Sequence, residues 1–205
     1  MHLVKVNMKF LDKFFSNFSK ALNLIDLKKL EKSAVLIDKC RKSGGRLFIL
    51  GVGGSAGNTS HAVNDFRKLC NVEAYSPTDN VSEITARTND EGFSTIFSEY
   101  LKVSNLNRRD LILIFSVGGG NETKNVSLNL VHAIKLAKLR KTKILSFVGK
   151  DDGYAYKHST ISILMKSPNS SLVTPVSEPM QAVLWHSLVS HPLLQKKSTK
   201  WVRFE

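Results

Sequence analysis

Short apolar runs alternate with amphipathic segments along this chain, a pattern typical of a parallel β-sheet covered by helices. Apolar residues recur at helical spacing over residues 8–22 and 26–42, and the second segment ends at a Ser-Gly-Gly stop. Further along, continuous apolar runs indicate strands that are buried on both faces. The predicted strands are 46–51, 110–115, 143–149 and 160–165.

The segments between and after these strands have helical patterns. They predict a helix over 58–70 capped by Asn58 or Ser55, a short and a longer helix within 81–103, and helices over 126–141 and 177–190. In the last helix we expect Pro179 only in the first turn and Pro192 beyond the end.

This alternation predicts an α/β fold, a three-layer α-β-α sandwich with a mainly parallel sheet and two N-terminal helices. Residues 1–205 are expected to form one domain. The N-terminal helices and the apolar last helix carry more hydrophobic surface than such a domain buries. We therefore expect the helices of residues 1–44 to contribute to oligomerisation.

Composition narrows the class of protein. No stretch of the 205 residues approaches the roughly 20 apolar residues of a membrane span, and the N-terminus lacks the apolar region of a signal peptide. Cys40 and Cys70 have neither metal nor disulfide spacing, so we expect two small core residues in a reducing cytoplasm. In the basic C-terminal segment, Trp201 and Phe204 are expected to pack against a neighbour.

The formal net charge of +13 leaves open anionic small molecules, nucleic acid or compositional bias as its reason. Most of the basic residues are lysines spread over predicted helix faces. They are not interleaved with aromatic residues in the manner of single-strand binding surfaces. Nucleic acid is therefore an unlikely partner by sequence, and no membrane association is expected.

Two strands end in turns with related chemistry. Glycine lets the backbone approach a ligand, and a helix N-terminus offers free N–H groups, so each turn suits a phosphate. Tight geometry alone is the alternative reason for the glycines. Neither turn matches a nucleotide signature, so a sugar is the better carrier of the phosphate. The first turn contains Gly51, Gly53, Gly54 and Ser55, and the second contains Ser116, Gly118, Gly119, Gly120 and Asn121.

Two acid–base pairs lie on predicted helices. His61 and Asp65 share one helix face, as either a stabilising pair or groups that face a ligand. Glu178 and His186 are eight residues apart, which offsets them by about 80° on broadly the same side of a helix. Because the flanking residues are apolar, a hydrogen-bonded core histidine is the alternative for His186.

Four stretches together resemble the sugar isomerase (SIS) domain family, and within it the phosphoheptose isomerases. The resemblance covers nearly the whole chain. It implies conversion of D-sedoheptulose 7-phosphate to D-glycero-D-manno-heptose 7-phosphate by acid–base proton transfer through an enediol, supplying heptose for lipopolysaccharide or capsule. The stretches are "GVGGSAGNTSHAVNDF", "SVGGGNETKNVSLNLVHAIKLAK", "VGKDDGY" and "TPVSEPMQAVLWHSLVSHPLL".

The resemblance also implies roles for residues. Asp65 takes the place of the catalytic base and His186 that of the second acid–base group, and with His61 and Glu178 they match a set that holds zinc in some members. Ser55, Ser116 and the neighbouring glycine amides would hold the phosphate. Asn89 and Asp90 match a segment that lines the sugar pocket. Members form homotetramers with active sites at subunit junctions, which we expect here.

The sequence departs from the family pattern at four places. Val52 replaces an asparagine, Asp65 is one methylene shorter than the usual glutamate, and Glu178 replaces a glutamine. The second turn keeps only the Ser116 hydroxyl, with Lys124, Asn125 or Ser127 as possible helpers. We interpret these changes as a subgroup with adjusted binding. The alternatives are a non-catalytic regulator, which binds the replication initiator DnaA or senses a phosphosugar, and an isomerase of another phosphosugar.

Overall fold

The structure, a computed structural model, describes residues 8–199, so Trp201 and Phe204 lie outside it. Five parallel strands form one sheet in the order β2-β1-β3-β4-β5, which confirms the predicted α/β class. The strands are β1 (Leu47–Leu50), β2 (Ala74–Tyr75), β3 (Leu111–Ser116), β4 (Lys143–Val148) and β5 (Ile161–Leu164).

Helices cover both faces of the sheet. Alternate strand residues point to opposite faces, so Ile49 and Leu113 join one apolar cluster while Leu50 and Ile112 join another. The first cluster includes residues of α2, α3 and α8, and the second includes residues of α5, α6 and α7. The helices are α1 (Met8–Asn23), α2 (Leu27–Lys42), α3 (Gly54–Cys70), α4 (Val81–Asp90), α5 (Ile96–Val103), α6 (Leu128–Leu139), α7 (Tyr154–His158) and α8 (Val173–Val189).

The strand order reverses between β1 and β3. From β1 the chain runs outward to β2, then returns past β1 to place β3 on its other side. Leu50 is in register with Ile114, so the turns that follow β1 and β3 leave the same edge of the sheet side by side. In open parallel sheets, ligands bind in the crevice at such a reversal.

The start of α3 differs from the prediction. The helix begins at Gly54 instead of residue 58, and its N-cap is Gly53, so neither Asn58 nor Ser55 is the cap. Gly53 has φ 64° and ψ −129°, a conformation that glycine adopts far more readily than other residues. This glycine lets the chain enter the helix directly after the strand, which places Ser55 in the first helical turn.

The prediction for Pro179 was wrong. The last helix begins at Val173, so Pro179 lies in its interior, although Pro192 does lie beyond its end as expected. Proline removes the N–H that would bond to the carbonyl of Pro175. Burial of Val176, Met180 and other residues of the inner helix face stabilises α8 despite this loss.

Three local features were not predicted. The strand β2 has only two residues and α7 only five, too few to show a period. The helix α6 begins at Leu128, not 126, because Asn121 and Val126 pair as an isolated antiparallel bridge.

The two cysteines are buried and free, as expected of core residues. Burial raises the pKa of the Cys40 thiol to about 12 and that of Cys70 to about 11, so both stay protonated at neutral pH. Within residues 8–199, every helix is too short or too polar to cross a bilayer.

Candidate functional site

The turn after β1 is built around close backbone contacts. A Cβ on Gly51 would lie 2.6 Å from the carbonyl oxygen of Ser55, so a side chain here would force the backbone to move. A Cβ on Gly54 would lie 2.5 Å from a carboxylate oxygen of Glu178. Because these two glycines have no side chains, the strand end, the start of α3 and the side chain of Glu178 can approach one another this closely.

The turn after β3 is held by its own side chains. Ser116 is buried, and its Oγ accepts a hydrogen bond of 2.9 Å from the backbone N–H of Gly119. Gly119 and Gly120 have φ values of 73° and 80°, and Asn121 Oδ1 accepts from the backbone N–H of Lys124. This turn leads into the N-terminus of α6.

Asn129 adds a polar group that the sequence did not reveal. It lies buried in the first turn of α6, and its Oδ1 accepts from the backbone N–H of Leu130. Its Nδ2 is buried without a hydrogen-bond partner among the described residues. The start of α6 therefore holds an unused side-chain donor.

Asp65 lies between two imidazoles. Its Oδ2 is 3.7 Å from Nε2 of His61, one turn earlier on α3, and 3.9 Å from Nε2 of His186 on α8. Its other oxygen accepts a 2.8 Å hydrogen bond from Asn64. The Asp65 side chain is 14% exposed, and packing of α3 against α8 brings the three groups together.

The indole ring of Trp185 packs against both imidazoles. It is fully buried, and its ring meets that of His61 edge-on at 4.6 Å and stacks on that of His186 at 3.5 Å between centroids. Its indole Nε1 has no hydrogen-bond partner among the described residues. The buried indole therefore forms the inner wall of the cluster of His61, Asp65 and His186.

The protonation of His186 follows from its neighbour. Its Nδ1 lies 2.8 Å from the carbonyl oxygen of Ala182, and a carbonyl only accepts, so Nδ1 carries the proton. In the neutral ring Nε2 therefore presents its lone pair toward Asp65. The side chain is 50% exposed, so the alternative of a core histidine is wrong.

Three of the four residues that the resemblance assigns to zinc come together. Ligand atoms of His61, Asp65 and His186 all lie within 4.8 Å of one another. Two ligands of a tetrahedral zinc ion at about 2.0–2.2 Å lie roughly 3.3–3.6 Å apart, so this donor set fits zinc after small side-chain shifts. Glu178 is outside this group of atoms, because its carboxylate lies against Gly54.

Gln181 is a polar residue of the site that sequence reasoning missed. It is fully buried on α8 and connects Asn58 with Ser55, two residues of α3. A single glutamine inside the apolar stretch "MQAVLW" was the available signal. Its partners become visible only once α3 and α8 are packed together.

Asn89 and Asp90 lie apart from these groups in the described chain. Both are exposed at the end of α4, where the Asn89 amide donates to the Asp90 carboxylate at 2.7 Å. Neither joins the hydrogen bonds of the two glycine turns among the described residues. Their assignment to a sugar pocket stays a prediction.

Known proteins are similar to this chain in sequence. Residues 13–149 match the model of the SIS domain family. The chain is 31% identical over 156 residues to the lincomycin biosynthesis protein LmbN of Streptomyces lincolnensis; the match covers 73% of this chain and 56% of LmbN, so the chain spans about half of that relative. It is 30% identical over 155 residues to the phosphoheptose isomerase of Buchnera aphidicola, covering 74% of this chain and 75% of that enzyme.

A solved structure shares the fold. The phosphoheptose isomerase GmhA of Neisseria gonorrhoeae superposes with a TM-score of 0.75 at 20% identity, covering 89% of this chain and 95% of that one. At this identity the match establishes the architecture alone.

Proposed function

Because the chain belongs to the SIS domain family, in its phosphoheptose isomerase branch, we propose that it converts D-sedoheptulose 7-phosphate to D-glycero-D-manno-heptose 7-phosphate. At the coarser level it is a sugar-phosphate isomerase. The observation that supports the proposal most is the placement of Asp65 between two imidazole nitrogens. A ketose–aldose isomerase needs such a carboxylate and such an imidazole.

In the proposed reaction Asp65 is the base. Its carboxylate removes the proton from the carbon beside the carbonyl, which gives an enediol, and returns it to the neighbouring carbon. The lone pair on Nε2 of His186 accepts the proton of one sugar hydroxyl, and the resulting imidazolium donates a proton to the other oxygen. The bond from Nδ1 to the Ala182 carbonyl keeps His186 in the tautomer that this exchange requires.

We propose that the phosphate binds between the two glycine turns. The first turn opens into the N-terminus of α3, where free N–H groups and the helix dipole favour an anion, and the second turn leads through residues 121–127 to the N-terminus of α6. Ser55 supplies a hydroxyl from the first turn. The second turn would contribute the Ser116 hydroxyl, the Asn121 side chain and the amides of Gly118 and Gly120. The Gly119 amide would hold Ser116 in place, because it donates to Ser116 Oγ. Asn89 and Asp90 would contact the sugar once the pocket is complete.

We propose that His61, Asp65 and His186 bind a zinc ion. When bound, it would polarise a sugar oxygen as a Lewis acid in place of the proton exchange by His186, because zinc and that proton would use the same Nε2 lone pair. We expect zinc to raise the midpoint of thermal unfolding of the wild type, because it binds the folded chain, and to have little effect on His61→Ala. The matched control is His191→Ala, since His191 contacts Glu31 away from the cluster. An equal zinc-induced shift in His61→Ala and wild type would contradict this site.

We propose a homotetramer with active sites at subunit junctions. The helix α1 exposes Phe10, Leu11 and Phe15, and Phe15 is 66% exposed. The imidazoles of the candidate site are also open, with 58% exposure for His61 and 50% for His186, so a neighbouring chain has room to complete the pocket.

Phe15→Ser should therefore lower the mass measured by light scattering, because it removes apolar area from the proposed interface. An exposed lysine of the same helix provides the control, and Lys13→Ser should leave the mass unchanged. Wild type that is monomeric at micromolar concentration would contradict the tetramer.

The catalytic proposal is tested by incubating the protein with D-sedoheptulose 7-phosphate and following the aldose. Turnover that depends on Asp65 supports the isomerase. Absence of turnover together with binding of DnaA or DNA would support the regulator, and turnover of another phosphosugar alone would revise the substrate. We place the reaction in the cytoplasm, where both buried thiols stay reduced, with its product used in heptose synthesis for lipopolysaccharide or capsule.

A further inference from the structure

A buried chain of hydrogen bonds links the acid–base helix to the binding turn. Asn58 Nδ2 donates to the backbone carbonyl of Glu178 at 3.0 Å and to Gln181 Oε1 at 2.9 Å. Gln181 Nε2 in turn donates to Ser55 Oγ at 2.9 Å. Gln181 is 0% exposed and Ser55 is 2% exposed, so the last bond is shielded from water.

The backbone carbonyl of Glu178 determines which group donates and which accepts in each of these hydrogen bonds. The backbone oxygen of Glu178 can only accept, so the Asn58 atom that faces it is the amide nitrogen. The same nitrogen faces Gln181, which must then present its oxygen there and its NH₂ group to Ser55. Every amide orientation follows from that carbonyl, and Ser55 is left as an acceptor.

The hydroxyl proton of Ser55 is therefore free to be donated elsewhere. Among the described residues, the bond from Gln181 is the hydrogen bond of this hydroxyl, and it occupies an oxygen lone pair. Ser55 lies in the first turn of α3, at the crevice between β1 and β3. A buried O–H donor at a helix N-terminus is complementary to an oxyanion or a sugar oxygen.

We propose that Gln181 is a positioning residue that makes Ser55 a hydrogen-bond donor to an oxygen of the phosphosugar. This inference rests on the proposed function for the identity of the ligand. Gln181 acts through Ser55. Because Ser55 then donates its proton, the bound ligand must have an acceptor oxygen next to the Ser55 hydroxyl. It also couples substrate binding to α8, the helix that carries His186.

Gln181→Glu tests the direction of donation with an almost isosteric change. A carboxylate only accepts, so Ser55 would turn its proton inward to residue 181 and lose it for the ligand. At pH 8.5, where a carboxylate that accepts two hydrogen bonds is ionised, we expect Kd and KM for D-sedoheptulose 7-phosphate to rise about 10- to 100-fold. The kcat value should change less than about twofold, because Asp65 and His186 are untouched.

A double-mutant cycle with Ser55→Ala shows whether the effect passes through Ser55. In the Ser55→Ala background, Gln181→Glu should change Kd by less than about twofold. A loss as large as in the wild-type background would overturn the proposal. Gln195→Glu makes the same chemical change away from the site and should leave Kd unaltered. If Gln181→Glu fails to fold, Gln181→Met replaces it in the same cycle. The rise in Kd should then be smaller, and it should again vanish in the Ser55→Ala background.

Calorimetric binding separates this proposal from the proposed function, because it requires no turnover. A wild type that binds D-sedoheptulose 7-phosphate without isomerising it contradicts the function, while the binding cycle still decides the role of Gln181. Inorganic phosphate is the second ligand, for which the same cycle applies. A wild type that binds neither ligand would overturn the role proposed for Gln181.

Discussion

Replacing Asp65 with asparagine should lower kcat by about 10²- to 10⁴-fold, the usual contribution of a general base. The amide has nearly the shape of the carboxylate and can still accept the hydrogen bond from Asn64, but it does not remove a proton from carbon. Steady-state rates of aldose formation from D-sedoheptulose 7-phosphate provide the measurement. We expect KM to change much less than kcat, because the two glycine turns proposed to hold the phosphate are unaltered.

Two further variants sharpen this result. Glu99→Gln makes the same type of change at a carboxylate that pairs with Lys102, and it should retain wild-type turnover. Asp65→Glu keeps the carboxylate and lengthens it by one methylene, so it should retain far more activity than Asp65→Asn. Asp65→Asn with more than a tenth of the wild-type kcat would show that the base lies elsewhere.

Removal of the His186 side chain has the second large expected effect. His186→Ala should also reduce kcat by about 10²- to 10⁴-fold, since the variant lacks the group proposed to move protons between the sugar oxygens. The free energy of unfolding should fall by no more than about 2 kcal/mol, because the side chain is half exposed and loses only its stack on Trp185 and one hydrogen bond to a backbone carbonyl.

The structure provides a close control for this histidine. His132 also has Nδ1 near a backbone carbonyl, that of Ser94 at 3.0 Å, yet it lies on α6 outside the cluster. His132→Ala should keep its turnover. Chemical denaturation and light scattering complete the comparison, and a His186→Ala chain that unfolds or dissociates would indicate a structural role instead.

The apolar pattern predicted four of the five strands, since β1, β3 and β4 are buried along nearly their whole length and β5 is apolar at three of its four residues. The strand β2 was missed because two residues, Ala74 and Tyr75, cannot show a period. The order of the strands depends on contacts between residues far apart in sequence, such as Leu50 with Ile114, which local patterns do not contain.

In the candidate site, too, local spacing predicted contacts within one helix but not contacts between helices. Spacing alone placed His61 and Asp65 on one helix face, and the structure has them one turn apart. The meeting of Asp65 with His186 depends on how α3 packs on α8, and the sequence suggested it only through the family resemblance. The same packing turns Gln181 toward Ser55 and leaves Glu178 against Gly54 instead of the histidines.

Helix boundaries at proline and glycine were the least predictable feature. Gly53 starts α3 without a capping side chain, and Pro179 lies within α8, although local rules favour a polar cap and exclude an interior proline. At Pro179 burial of the inner face of α8 outweighs the local preference, whereas at Gly53 the positive φ favours glycine over a residue with a capping side chain. These exceptions occur at the two helices that carry Asp65 and His186.

Isomerisation in heavy water gives the most direct test of proton transfer by Asp65 and His186. Wild-type protein is incubated with D-sedoheptulose 7-phosphate in ²H₂O, and proton NMR follows the hydrogens on the carbons beside the carbonyl. We expect solvent deuterium to enter the aldose at the carbon that receives the transferred proton, with incorporation lost in Asp65→Asn. Folded wild-type protein that binds the ketose but neither exchanges these hydrogens nor forms aldose, with or without zinc, would contradict the account.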